Sequence, residues 1–441
     1  MKGKKREKRG RSRARARPLP PEYNMLLTAT LCLLALGAVM VFSASSTTRV
    51  LQDGGLSDSA FYLKRTLMFG VLGLVIMHLT ARHGLKAVRN LTPLLLGASI
   101  FLLLAVLAVG TEVNGATRWI GGGFMQVQPS ELAKVALVLY GVDLLARKPK
   151  RARSLEGLMP FLLVVVASCL LIMLEPDMGT TMVICFSVAA TLIAAGARPV
   201  DLGKVALVIG GLALLMAVVE PYRMARLTSF LNPSADAAGA GFQAAQAKIA
   251  LGSGGLFGVG IGNGVQKAFY LPEAHTDMIS AVIGEELGLV GIAGVVGLFA
   301  MFGYAGLKTA QKAKDRYAKL LVTGLTSLVL VQATINLFAV MGLAPLTGVP
   351  LPFVSYGNSS LLACLFAVGL ILNVARGGSA GAARASTPTG AGKLRVVQGG
   401  RAPARERSRS SGARKAKSGR GGGGDRRARG ARHGGRRRAS G

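Results

Sequence analysis

The sequence predicts an all-α fold: a polytopic membrane protein with about ten transmembrane helices and one large extracytoplasmic loop. Three observations predict it. The mean hydropathy is +0.46, well above what a water-soluble domain usually carries. The apolar residues gather into runs that approach the roughly 20 residues a membrane-crossing helix needs. The formal net charge of +33 sits mostly at the two ends of the chain. Residues 1–22 hold 10 Lys and Arg against 2 Glu, and residues 375–441 hold 19 against 2 acids, which leaves only +8 for the long middle.

Spans are expected at 24–44, 66–81, 91–110, 130–147, 158–175, 178–196, 202–219, 279–304, 319–342 and 359–375. Lys and Arg collect in alternate short loops: Arg82, Lys86 and Arg89; then Arg147, Lys148, Lys150, Arg151 and Arg153; then Arg198 and Lys204; then Lys308, Lys312, Lys314 and Arg316. Positively charged loops stay in the cytoplasm, so these loops and both termini are expected there. The remaining loops face outward. The longest, 220–278, is too long for a plain connection and is a candidate functional element.

The organisation that follows is a basic arm (1–23), a transmembrane domain (24–375) and a basic Arg- and Gly-rich tail (376–441). The arm and the tail lack core-forming residues and are expected to be disordered. Attraction to anionic lipid and control of topology is favoured over nucleic-acid binding for them. Cys32, Cys169, Cys185 and Cys364 lie in apolar runs without metal-ligand spacing, and read as small buried hydrophobes.

Polar groups at membrane depth are costly and mark candidate sites. Four outward segments concentrate them. The first runs through 114–120 and 128–134. Ser130 is expected to cap a helix, with Glu131 and Lys134 on one face of it; these two are equally compatible with a local ion pair and with the charged wall of a cavity. The second is the tight turn 175–180, where Asp177 is expected to cap the next helix. The third is the large loop with its glycine-rich stretch 252–262, read as flexible or re-entrant backbone because the strand context of a phosphate cradle is missing. At its end stands Asp277, with Glu285 eight residues on and expected to border the same cavity, and Glu286 pointing further away. A poorly solvated carboxylate at this edge suits a general base; a simple acid at a helix start is the competing role. The fourth is 345–360, whose three prolines forbid regular helix and which is expected to line the same cavity.

Taken together, the strings "NGATRWI" (114–120), "QPSELAK" (128–134), "EPDMGT" (175–180), "KIALGSGGLFGVGIG" (248–262), "LPEAHTDMISAVIGEELGL" (271–289) and "GVPLPFVSYGNSS" (348–360) resemble the SEDS family (shape, elongation, division, sporulation) in order and spacing. The resemblance covers roughly 24–375, and "QKAFYLPEAHTD" (266–277) is closest to the family's cell-division branch. Two positions depart from the family pattern: Asn358 where Gly is usual, which a left-handed conformation would suit, and Ala247 where Ser is usual.

The resemblance implies a peptidoglycan glycosyltransferase that polymerises lipid II at the outer face of the bacterial inner membrane, at the division septum, and releases undecaprenyl pyrophosphate. It makes Asp277 the essential acid, and puts Arg118, Glu131 and Lys134 at charged positions of the substrate cavity. Trp119, His275, Glu285 and Ser355 fall in the same strings as candidate substrate contacts, and Arg223 and Arg226 are candidates for the pyrophosphate. A divalent cation is compatible with that work, and no ligand set for one is readable. The implied partners are the undecaprenyl-linked glycan, a class B penicillin-binding protein transpeptidase and other division proteins. A lipid II flippase and a non-catalytic division scaffold are the alternatives. The chemically rich segments all project to one side, which favours the enzyme over a two-sided transport route.

Overall fold

The computed structural model describes residues 19–52, 59–113, 116–122, 126–219, 224, 230 and 240–379. Ten helices of spanning length are present among them: α1 (Pro21–Gln52), α2 (Phe61–Arg82), α3 (Leu85–Val109), α4 (Pro129–Arg147), α5 (Leu155–Leu174), α6 (Met178–Ala195), α7 (Pro199–Val219), α10 (Ile279–Lys312), α11 (Arg316–Val340) and α12 (Asn358–Ala375). Between α7 and α10 lie α8 (Ala240–Ser253) and the single turn α9 (Gln266–Phe269). A two-stranded antiparallel hairpin, β1 (Thr111–Val113) and β2 (Ala116–Trp119), is the one departure from helix among the described elements. Eight of the ten helices are long and apolar enough to cross a membrane by length and composition. Of the other two, α4 carries Glu131, Lys134, Asp143 and Arg147.

The second span is longer than expected from the sequence. It starts at Phe61 rather than near 66, because Arg65 is buried in the bundle instead of ending the helix. On α2, Leu67, Val71, Val75 and Leu79 repeat every four residues and point away from the bundle, while Gly70, Gly73, Met77 and Ala81 are buried. The small residues let α2 and α12 approach closely: a side chain at Gly73 would start 2.4 Å from Leu365 Cδ1. Interior and periphery differ sharply. The most apolar window of α12 is 72% buried and that of α11 is 67%, against 22% for α3. The protein core is therefore built around α4, α11 and α12, and α3 presents most of its surface outward.

The two ends of the bundle differ in chemistry. At one end Arg89 and Arg147 pair with Asp143 (2.6 and 2.8 Å), Lys312 pairs with Glu22, and Arg376 lies over the Tyr23 ring. At the other end are the hairpin, the turn at 175–177, the stretch 254–278 and the proline-rich segment 341–357.

Two residues depart from the sequence reading or add to it here. Cys32 is exposed on α1 rather than buried, so it faces outward from the bundle. Asn358 is the first residue of α12 and has no left-handed backbone, so its side chain needs no glycine-like freedom.

Candidate active site

The proline-rich segment organises the site. Its irregular backbone is buried, with Val349, Leu351, Phe353 and Val354 each at most 3% exposed, so its polar groups must find protein partners. Two amides on α11, four residues apart and therefore on one face, supply them. Asn336 Nδ2 donates to Val349 O and to Asp277 O, both at 2.8 Å. Gln332 Nε2 donates to Pro350 O at 2.9 Å and to Ser360 Oγ at 3.1 Å. Ser355 Oγ accepts the Leu351 N–H at 2.8 Å and closes the following turn, and the Tyr356 N–H donates to His275 O at 2.9 Å. Gly37 on α1 makes room for the segment: a side chain there would start 2.5 Å from Phe353 O.

Glu131 and Lys134 form an ion pair at 2.9 Å, both almost fully buried, and Lys134 Nζ also donates to Gln332 Oε1 at 2.8 Å. The pair is thus a local one that also ties α4 to the amide holding the proline-rich segment. Ser130 does not cap α4. Pro129 occupies the first helical position, the cap is Gln128, and Ser130 Oγ donates instead to Asp177 Oδ2 at 3.3 Å.

Asp177 caps α6 as expected, accepting the Thr180 N–H at 3.0 Å, and it also accepts Gln128 Nε2 at 3.2 Å. Arg118, on β2, clamps the same turn: Nε donates to Glu175 O at 2.9 Å and Nη2 to Pro176 O. Trp119 beside it is half-buried, its carbonyl held by Thr111 Oγ1 at 3.2 Å. Glu175, just beyond α5, is fully buried, and neither carboxylate oxygen has a hydrogen-bond partner among the described residues. Burial pushes its pKa up to about 8, with Asp177 adding in the same direction and Arg118 opposing.

This turn meets the proline-rich segment at Gly179, where a side chain would start 2.6 Å from Thr347 O. On the segment's other side stands Asp277, its Oδ2 3.8 Å from where a side chain at Gly348 would begin. Asp277 is half-buried, and Thr276 Oγ1 donates to its Oδ1 at 3.2 Å. It lies ahead of α10, whose cap is Met278 with no side-chain hydrogen bond, so Asp277 is not the helix-start acid. His275 stacks in an aromatic group with Tyr62 (ring centroids 4.3 Å apart) and Tyr356 (5.5 Å), and Arg65 lies 6.0 Å over the Tyr356 ring. Glu273 and Phe353 hold positive φ (52° and 66°), so strained backbone flanks Asp277 on both of its neighbouring segments.

Arg118, the 175–177 turn, residues 347–349, Asp277 and His275 are therefore contiguous. Glu285 does not join them. Asp277 precedes the helix, so the helical spacing expected between the two does not apply, and Glu285 Oε1 accepts the Val265 and Gln266 N–H groups at 2.8 and 3.2 Å. Glu286 is fully buried with Lys267, and Ser43 Oγ donates to it at 2.7 Å. Arg223 and Arg226 lie outside the described residues.

Just beyond Glu285 and Glu286, α10 breaks at Gly288 (φ 66°, ψ −162°). The Glu285 and Glu286 carbonyls accept from Val259 and Gly260 N–H (3.0 and 3.1 Å), while Leu289 and Val290 N–H donate to Gly255 and Leu256 O (3.0 and 3.2 Å). The glycine-rich stretch thus threads into the helix and re-satisfies its backbone, a re-entrant arrangement. Gly254 is needed at the crossing, since a side chain would start 1.9 Å from Gly284 O.

Sequence reasoning missed Gln332 and Asn336. Their signal was present: two amides one turn apart inside an apolar span. Among the described residues no group of three or more His, Cys, Asp and Glu is arranged to hold a metal ion.

A sequence model for the FtsW/RodA/SpoVE family, described as cell cycle protein, matches residues 23–379. The chain belongs to this family. It is 42% identical over 357 residues to the probable peptidoglycan glycosyltransferase FtsW of Coxiella burnetii, covering 79% of this chain and 95% of that protein. It is 40% identical to stage V sporulation protein E of Bacillus subtilis, covering 80% and 96%. Among solved structures it is similar to a chain from a study of how a peptidoglycan synthase complex coordinates polymerization and crosslinking, with TM-score 0.65 and 29% identity over 80% of this chain and 96% of that one. It is also similar to the rod shape determining protein RodA of Thermus thermophilus, with TM-score 0.59 and 29% identity over 80% and 95%. The polytopic helical membrane fold expected from the sequence is the fold these relatives share.

Proposed function

We propose that this chain is a peptidoglycan glycosyltransferase, polymerising lipid II into β-1,4 glycan strands at the outer face of the bacterial cytoplasmic membrane during septal wall synthesis. Family membership and the relatives named as glycosyltransferases support the reaction class. The observation that carries the catalytic assignment is the setting of Asp277: a half-buried carboxylate between two strained segments, positioned through its backbone by Asn336 and not used as a helix cap.

In the reaction a sugar C4 hydroxyl attacks the anomeric carbon of a second, lipid-linked glycan. Asp277 takes the hydroxyl proton as the new C–O bond forms. The bond from the anomeric carbon to the pyrophosphate breaks, and undecaprenyl pyrophosphate leaves with the bonding electrons, inverting the centre. A positioned base of this kind contributes about 10²–10⁴ in rate. Arg118 shapes the wall by holding the 175–177 turn; Arg223 and Arg226 are the candidates for neutralising the leaving group.

The basic alternate loops support cytoplasmic termini, with residues 1–23 and 376–441 as cytoplasmic extensions of the membrane domain. The similarity to a chain of a synthase complex supports a class B penicillin-binding protein as partner. The test is polymerisation of labelled lipid II by the purified full-length chain, alone and with that transpeptidase. Glycan strands are expected in the presence of the partner. No strands in either arm, with lipid II crossing proteoliposome membranes instead, would favour the flippase.

A further inference from the structure

At the basic end of the bundle, the connection after α4, the C-terminal end of α6 and the first residue of α11 enclose a cavity of about 440 Å³. Its lining includes Lys150, Arg153 and Arg316 and no acidic side chain. Lys150 and Arg153 lie three apart in a 3-10 turn at Pro149–Arg153, where side chains three apart eclipse, so both cations stand on one face. The turn is locked onto α5: Ser154 Oγ accepts the Gly157 N–H at 3.2 Å, and a side chain at Gly157 would start 2.5 Å from Arg151 O. Both cations are exposed, and neither has a hydrogen-bond or ion-pair partner among the described residues.

The third wall is a helix C-terminus, whose carbonyls normally favour cations over anions. Here they are occupied. Gly196 turns left-handed (φ 90°), the Gly196 and Ala197 N–H groups return to Ile193 O and Leu192 O (both 3.0 Å), and Arg316 Nη2 donates to Ala195 O at 2.8 Å. The charged side chains that line the cavity are all cationic, the nearest acids along the chain being Glu156, Asp201 and Asp315, the last of which accepts the Ala318 N–H. Exposed apolar side chains adjoin it along the chain: Ile193 on α6, Val200 at the start of α7, and Met159 and Leu163 on the second and third turns of α5. A positive, membrane-edge cavity flanked by greasy outward faces matches a ligand with an anionic head and acyl tails, and a free anion would have no use for those faces.

We propose that this cavity binds the phosphodiester headgroup of an anionic phospholipid, of the phosphatidylglycerol or cardiolipin class, with Lys150, Arg153 and Arg316 on the phosphate and acyl chains along the faces of α5 and α6. The site lies at the opposite end of the bundle from Asp277 and does not depend on the reaction proposed there. In the orientation given above it samples the inner leaflet.

The test titrates the purified full-length protein with phosphatidylglycerol, cardiolipin, phosphatidylcholine and, separately, inorganic phosphate, and reads bound lipid by native mass spectrometry. Three variants are compared with the parent: Lys150→Gln, Lys150→Gln/Arg153→Gln, and Arg82→Gln/Lys86→Gln, which removes the same charge from exposed positions of another loop. With about 1 kcal/mol per cation near a lipid surface, affinity for the anionic lipids should fall roughly 5-fold in the single variant and 25-fold in the double one. It should be unchanged in the control pair, and phosphatidylcholine binding should not discriminate among them. Both altered side chains are exposed, so melting temperatures in phosphatidylcholine should match the parent. Equal loss of anionic lipid in the two double variants would overturn the proposal, as would displacement of the lipid by millimolar inorganic phosphate, which would mark a free-anion site.

Discussion

The turns at 175–177 and 273–277 each place an aspartate just before a membrane helix, and both lean on the stretch around Thr347 to Val349. Asp177 is 4% exposed and accepts from a backbone N–H, an amide and a hydroxyl. Asp277 is half-exposed, accepts from the Thr276 hydroxyl, does not cap α10, and is positioned through its carbonyl. Place in the sequence is the same for the two acids; burial and helix capping set them apart. An acid surrounded by structural donors holds a fold together. One whose backbone is held and whose carboxylate stays accessible is suited to exchange protons. Variants at the two turns should therefore rank one way for stability and the opposite way for activity.

The largest stability loss is expected where the turns share a wall. Gly179→Ala forces a methyl against Val349 and against the Thr347 carbonyl 2.6 Å away, a backbone atom that cannot swing aside. Overpacking of this kind costs about 1–3 kcal/mol, and a clear drop in melting temperature should follow. An unchanged melting temperature would show that the segment is not held as described. Asp177→Ala comes next: losing the cap alone costs about 1 kcal/mol, and two side-chain donors lose their acceptor.

Glu175 gives a pH-dependent effect. Its folded pKa of about 8 lies above the ordinary carboxylate range, so the folded state binds a proton that the unfolded state releases. Its contribution to stability is then fully present at acidic pH and is lost as pH rises through the window from the usual carboxylate value to about 8. Melting temperatures of parent and Glu175→Gln between acidic and mildly alkaline pH should converge at the acidic end and diverge as pH rises, with the variant's profile flatter. Parallel profiles would remove Glu175 from the account. The smallest stability effect is expected from Asp277→Asn, about 0.5 kcal/mol, because the near-isosteric amide keeps an oxygen for the Thr276 hydroxyl and the residue does not cap α10.

Much of this arrangement was legible in the sequence, and the rest was hidden for identifiable reasons. Ten apolar runs locate ten helices of spanning length, eight of them apolar enough to cross a membrane, because membrane insertion demands long apolar stretches. Lys64 and Arg65 made the second run look short; Arg65 is instead buried near Tyr356. The break in α10 left almost no trace, since one glycine in an apolar run is common and the partner stretch lies some thirty residues earlier in the chain. Asp277 and the 175–180 turn were legible as polar groups at span edges. The amides that hold the site were not, because Gln332 and Asn336 sit mid-span and act on carbonyls of a segment whose path only the fold reveals.

The comparison of the two turns reduces to one assay: glycan-strand formation from labelled lipid II by Asp277→Asn and Asp177→Asn, each with the transpeptidase partner and each shown to be folded. Losing a general base should lower the rate by about 10²–10⁴ in Asp277→Asn, while Asp177→Asn, which keeps a capping oxygen, should stay within a few-fold of the parent. Near-normal polymerisation by Asp277→Asn would contradict the assignment and move the search for the base to the Glu131–Lys134 pair.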